Sequence, residues 1–139
     1  MLGKNGLSMS LMEKVVIKTD KAPIPVAPYS QAIRAGGVIY VSGFVAFDPR
    51  TGKIVSGGIR EQATQVMENI KAVLEAAGSS MRDVVKTNVY LTNLKDFSVM
   101  NEVFKTYFPT DPPARVTVGV QLPLPELLIE IDATAVPTS

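Results

Sequence analysis

Apolar positions recur along the chain at two spacings. Over residues 59–77 they fall at Ile59, Ala63, Val66, Met67, Ile70, Val73, Leu74 and Ala77, a recurrence every three to four residues that predicts an amphipathic helix with one face on a core. Arg60, Glu61, Glu68, Lys71 and Glu75 take the opposite face, and Gly78 stands where a left-handed C-terminal cap is needed. A second helix is predicted over residues 95–108, with Asn93 or Asp96 as its cap, Pro109 as its stop and Phe97, Met100, Phe104, Tyr107 and Phe108 as its buried stripe. Asn101 falls on that stripe between Phe97 and Phe104, so it points inward and its amide needs partners.

Elsewhere the spacing is two, the mark of strands. Residues 14–19 alternate around Val15 and Ile17. Residues 33–35 and 38–42 flank Gly36-Gly37, a pair suited to a tight hairpin turn. Val41-Ser42-Gly43 ends the second of these strands, and the glycine there permits either a close approach to the backbone or a bulge. Asp48-Pro49-Arg50-Thr51-Gly52 carries turn chemistry and joins residues 44–47 to 53–55. Residues 83–92 read as a strand with Val85, Val89 and Leu91 on one face and Tyr90 on the other. The prolines at 23, 25 and 28 fix an extended segment outside the sheet that delivers Tyr29 to a defined place.

The last two strands, residues 113–120 and 127–133, read as core, yet each carries a charge. Arg115, Thr117 and Gly119 share one face of the first, and Val116, Val118 and Val120 the other. In the second, Leu127, Ile129, Ile131 and Ala133 form an apolar face, leaving Leu128, Glu130, Asp132 and Thr134 opposite. Burying either charge alone costs roughly several kcal/mol. Arg115 and Glu130 therefore need each other as an ion pair, a solvated face, a cleft, or the rim of a neighbouring subunit.

Composition narrows the chemistry. With 139 residues and 46% hydrophobic content the chain supports one domain, residues 12–139, preceded by a disordered extension over residues 1–11. A net charge of +1, with charges scattered singly, leaves no footprint for nucleic acid or an anionic membrane. No apolar run is long enough to cross a bilayer, and the opening residues lack a secretory signal pattern, so a cytoplasmic protein is expected. The absence of cysteine removes thiolate nucleophiles and zinc–thiolate sites, and the absence of histidine removes the commonest general base and metal ligand. Acid–base work falls to Asp, Glu, Lys, Tyr or water. No metal-ligand cluster or glycine-rich phosphate loop is visible, so no cofactor is expected.

Taken in order, Ala27-Pro28-Tyr29-Ser30-Gln31-Ala32, Val41-Ser42-Gly43, Leu74-Glu75-Ala76-Ala77-Gly78, Asp96-Phe97-Ser98-Val99-Met100-Asn101, Pro113-Ala114-Arg115 and Ile129-Glu130-Ile131-Asp132-Ala133 resemble the RidA-type reactive intermediate deaminases over nearly everything after Met12. The resemblance implies an α+β subunit, chorismate-mutase-like, with two helices on one face of a mostly antiparallel sheet. It also implies a homotrimer with sites between subunits. The implied activity is that of a 2-iminobutanoate/2-iminopropanoate deaminase, which hydrolyses enamine and imine intermediates such as 2-aminoacrylate to 2-oxo acids and ammonia. By the same resemblance Arg115 holds the substrate carboxylate, Glu130 activates water, and Tyr29, Ser42, Gly43, Asn101 and Thr117 line the pocket. Two departures stand out: Thr117 replaces a cysteine common in relatives, and Val116-Thr117-Val118-Gly119-Val120 differs from the common Ser-Thr-Val-Glu-Val.

The residue types suit that chemistry. A guanidinium matches a carboxylate bidentately and stays charged, and a carboxylate can move protons between water and a departing amine. The rival readings are a non-catalytic trimer that binds small carboxylates or partner proteins, and an RNA-cleaving or translation-inhibiting relative. An anion-binding module has no use for Glu130 in its pocket, and a near-neutral charge gives the RNA reading nothing.

Overall fold

The computed structural model describes residues 13–139; the extension expected over residues 1–11 lies outside them. Its strands are β1 (Val15–Ile17), β2 (Ala32–Ala35), β3 (Val38–Phe44), β4 (Phe47–Asp48), β5 (Lys53–Ile54), β6 (Val84–Leu91), β7 (Ala114–Gly119) and β8 (Ile129–Ala135), and its helices are α1 (Ile59–Ala76) and α2 (Phe97–Tyr107). Gly36 and Gly37, at φ of 59° and 75°, make the turn between β2 and β3, a backbone that residues with a Cβ avoid. Six strands form one sheet in the order β1-β2-β3-β8-β6-β7, and β4 and β5 form a separate hairpin. Every neighbouring pair in the large sheet is antiparallel except β6 and β7. A parallel pair needs a crossover, and α2 supplies it, packing beside α1 on the same face of the sheet. The result is the α+β architecture that the sequence predicts.

The core lies between that face and the helices. Ile39 and Val41 of β3, Val84, Val89 and Leu91 of β6, and Ile129, Ile131 and Ala133 of β8 meet the apolar stripe of α1 and Met100, Val103 and Phe104 of α2. Burial of an isoleucine such as Ile129 contributes about 1.5–3 kcal/mol. Two polar side chains of α1 are buried as well, and each ties down a loop. Gln62 donates to the carbonyl of Glu126 at 2.8 Å and accepts from the Leu128 amide at 2.9 Å. Asn69 donates to the carbonyls of Val45 and Phe47 at 3.2 and 2.9 Å. They fix the approaches to β8 and β4, which border the cleft described below.

Several expectations are corrected. The second helix begins at Phe97: residues 94–96 form a tighter turn, capped by Asn93, whose side chain accepts from the Lys95 amide at 2.9 Å. Phe97 is exposed, and Val103 is buried in the stripe instead. In β6 the pairing register shifts between Val84 and Lys86, so Val84 takes the core position and Val85, expected inside, is exposed. The strand carrying Arg115 is not core. β7 is the edge of the sheet, and Val116 and Val118 are exposed on the face away from the helices. Among the described residues, no helix is long and apolar enough to cross a membrane.

Candidate active site

Glu130 sits on the sheet face opposite the helices, where strand alternation puts it once Ile129 and Ile131 point into the core. Beside it, β3 changes register between Val41 and Phe44, and Ser42 and Gly43 occupy this irregular stretch. A Cβ on Gly43 would collide with Oε2 of Glu130 and lie 2.9 Å from its Cδ, so the glutamate carboxyl occupies the volume that the glycine leaves empty. Glycine at this point thus serves close approach and bulge together. Ser42 ties β3 to the proline-rich segment: its hydroxyl donates to the Ser30 carbonyl at 2.5 Å and its amide to the Gln31 carbonyl at 3.0 Å.

Gln31 in turn organises that segment. Its buried amide nitrogen donates to the carbonyls of Thr19, Ala22 and Pro23 at 3.0, 3.3 and 2.9 Å, and its oxygen accepts from the Thr19 amide at 2.8 Å. Tyr29 is thereby held, half exposed, at the rim of a cleft of about 710 Å³ that also includes Ser42, Gly43 and Glu130 and has apolar walls from Ile24, Val26, Phe44 and Leu124. Burial pushes the Glu130 carboxyl above its ordinary pKa, and the negative charge of Asp132 adds to the shift. Asp132 is held on the same face by Asn88 Nδ2 at 2.9 Å and the Tyr90 hydroxyl at 3.0 Å.

Arg115 lies elsewhere. Thr87 of β6 faces Arg115 across the parallel ladder and Ala133 of β8 across the antiparallel one. Residues paired in register project to the same face, so Arg115 shares the helix side with Thr87 and Ala133. Glu130 pairs with Tyr90, which pairs with Val118, and these three share the other side. The Arg115 guanidinium carbon stands 4.8 Å from the ring centre of Phe104 and 5.6 Å from that of Phe97, and Nη1 is 4.0 Å from the Met100 sulfur. Burial lowers its pKa from the ordinary value, though a guanidinium still stays charged at any working pH. Thr117 falls two residues along the same face, and Asn101 lies on α2 between the two phenylalanines.

The predicted residues therefore separate into two groups. Tyr29, Ser42, Gly43 and Glu130 share the cleft, while Asn101, Arg115 and Thr117 gather on the helix side of the β7 edge. An ion pair between Arg115 and Glu130 within one chain is ruled out by the register, and the described ion pairs are Arg50–Asp48 at 3.0 Å and Arg60–Glu102 at 2.9 Å. Each group is chemically incomplete. Arg115 has no carboxylate within reach among the described residues, Glu130 has no cation, and the buried atoms lacking any hydrogen-bond partner are Thr87 Oγ1, Asn101 Oδ1 and Thr117 Oγ1. Sequence reading missed the role of Gln31 and the Asn88–Tyr90 clamp on Asp132. Alternation placed Asp132 on the face of Glu130, but nothing local marks its partners or those of Gln31.

The Endoribonuclease L-PSP family model matches residues 19–137. A RutC family protein of Pyrococcus abyssi is 54% identical over 124 residues, covering 89% of this chain and 98% of its own. A Mus musculus protein named 2-iminobutanoate/2-iminopropanoate deaminase is 43% identical over 128 residues, covering 92% and 95% respectively. Among solved structures, RidA from an Antarctic Psychrobacter superposes with a TM-score of 0.83 at 48% identity, covering 88% of this chain and 98% of that one.

Proposed function

The chain belongs to the Endoribonuclease L-PSP (RidA) family, and on that premise we propose that it is a 2-iminobutanoate/2-iminopropanoate deaminase whose sites form between subunits of a cytoplasmic homotrimer. The reaction takes a 2-imino acid and water to a 2-oxo acid and ammonia. Arg115 of one subunit anchors the carboxylate through its fork of N–H donors, which orients the imine carbon. As the C–O bond forms and the C=N π pair moves onto nitrogen, Glu130 of the next subunit takes one proton from the water and passes it to that nitrogen. It then takes the remaining hydroxyl proton and delivers it to the amine as the C=O bond forms and the C–N bond breaks, releasing ammonia. A raised pKa makes the Glu130 carboxylate a stronger base toward the attacking water than an ordinary glutamate. Tyr29, Ser42, Gly43, Asn101 and Thr117 shape the pocket around the reacting atoms. No metal or organic cofactor enters this scheme.

The observation that carries this reading is the division of the site across the two faces of one sheet. A guanidinium without an anion lies on one side, and a carboxyl without a cation on the other. A second copy laid against the uncovered face, where Val116 and Val118 are exposed, supplies what each half lacks. To test it, enamines are generated in situ by a dehydratase or an amino-acid oxidase and 2-oxo acid release is followed with and without the protein. Faster release, unaffected by chelator, is expected from a species that sediments as a trimer. A folded protein that accelerates none of several imines, or a stable monomer at micromolar concentration, overturns the proposal.

A further inference from the structure

The face of β7 that carries Arg115 and Thr117 ends in Gly119, and neither backbone nor clash demands a glycine there. Gly119 is outside the left-handed region, and the nearest atoms to a Cβ built on it belong to the Leu94 side chain, at 3.5–3.7 Å, an ordinary contact. Glycine also weakens a strand, so its presence in one marks a close approach. The approaching group is Leu94, with which any larger side chain at 119 would compete for space. Leu94 is thus seated on β7 by one flank, yet it remains 61% exposed. Three residues on, Phe97 is 42% exposed, and its ring centre lies 5.6 Å from the Arg115 guanidinium carbon. Leu94 and Phe97 therefore make an apolar wall along β7 from Arg115 to Gly119, a span of about 13 Å at the rise of a strand.

Val116 and Val118, which meet the second copy on the proposed reading, lie on the other face of β7. Leu94 and Phe97 instead border the guanidinium, which has to stay open to a ligand. The cleft around Glu130 is apolar as well: Ile24, Val26 and Leu124 are exposed along its volume of about 710 Å³. A methyl group, the whole side chain of 2-iminopropanoate, would leave most of both surfaces in water. We infer that Leu94 and Phe97 form a side-chain subsite, so that the preferred substrates are 2-imino acids with an apolar side chain of three or more carbons. With the carboxylate on Arg115, such a side chain lies along the wall and removes it from water. The inference rests on the deaminase reading, because it takes Arg115 as the carboxylate anchor.

The experiment follows hydrolysis of imines generated in situ by an amino-acid oxidase from alanine, norvaline, leucine and glutamine, with wild type, Leu94→Ala and Leu94→Asp. In wild type, kcat/KM is expected to rise by up to about fourfold for each methylene buried. The leucine-derived imine should then exceed the alanine-derived one by about tenfold or more, and the glutamine-derived imine, of similar length but polar, should fall well below leucine's. Leu94→Ala should cut the leucine-to-alanine ratio by about tenfold, and Leu94→Asp by more. The ratio is the readout, because a loss of folding or assembly slows every imine alike. A wild-type series flat in side-chain length overturns the inference, as does an unchanged ratio in either folded variant; the wall is then a subunit contact only. If wild type accelerates none of these imines, the deaminase reading itself falls, and the subsite with it.

Discussion

Replacing Gly43 with alanine adds one methyl group at the point where the Glu130 carboxyl lies. Gly43 is outside the left-handed region, so alanine fits its backbone, and the change acts through Glu130 alone. The added carbon would lie 2.9 Å from Cδ and 3.2 Å from Cγ of Glu130, and would collide with Oε2. Ordinary carbon–carbon contact is about 3.5–4.0 Å, so the carboxyl must retreat by roughly half to one ångström, or swing to another rotamer. Leaving its preferred rotamer costs about 0.5–1.5 kcal/mol. The lost backbone entropy of the unfolded chain offsets about 0.4–1 kcal/mol of that, so the melting temperature should move little. Catalysis should not escape so lightly, because a displacement near 1 Å at a reacting group costs on the order of a hundredfold. Gly43→Ala is therefore expected to fold and assemble as wild type, to bind pyruvate through Arg115, and to lose about a hundredfold in kcat. Undiminished turnover in a variant whose structure shows Glu130 displaced would refute the assignment of the water to Glu130.

Glu130→Gln should lower kcat by about a hundredfold while pyruvate still binds, and Arg115→Lys should weaken binding and turnover together, because one point charge cannot replace a planar fork; titration and steady-state kinetics on both variants read this directly. Mixing inactive Arg115→Ala and Glu130→Gln subunits by unfolding and refolding should recover roughly a quarter of wild-type activity, the fraction of interfaces that receive both intact halves in a cyclic assembly, whereas a site within one chain recovers none. For pH, the raised pKa of Glu130 puts the acidic limb of kcat/KM above the ordinary glutamate value of about 4.3, and Asp132→Asn should move that limb back toward acid. The same shift makes Glu130 most favourable to folding below the unfolded pKa, with that contribution lost as pH rises through the folded one. Denaturation should therefore find Glu130→Gln more stable than wild type at neutral pH and equal to it in acid.

Local patterns carried much of the fold. The positive φ angles of Gly36 and Gly37, the stripe of α1 and the Gly78 cap are all consequences of residues close in sequence, and so are the faces of Arg115 and Glu130 within their own strands. What alternation cannot supply is the relation between strands. Whether Arg115 and Glu130 share a side depends on how β7 and β8 each pair with β6, and β7 pairs in parallel through a helical crossover. Val85 was misplaced for a related reason, since one extra residue at the register shift reverses the faces before it. Phe97 was misplaced because α2 begins at it, which leaves its side chain partly exposed beside Arg115 of the edge strand. Gln31 escaped notice because its partners are carbonyls brought near only by folding.

The division of the site between two sides of a sheet also makes ligand and assembly depend on each other. With β7 and β8 both paired to β6, Arg115 and Glu130 of one chain are held on opposite sides of the sheet. On the proposed reading a separated subunit therefore holds two half-sites and no whole one. A small carboxylate that binds only the whole site then acts as glue. At a concentration one hundred times its Kd, each occupied site adds about 2.7 kcal/mol to the cohesion of the subunits. A cell rich in 2-oxo acids would hold the assembly together most firmly when its product is abundant, and dilution without ligand would loosen structure and activity in the same step.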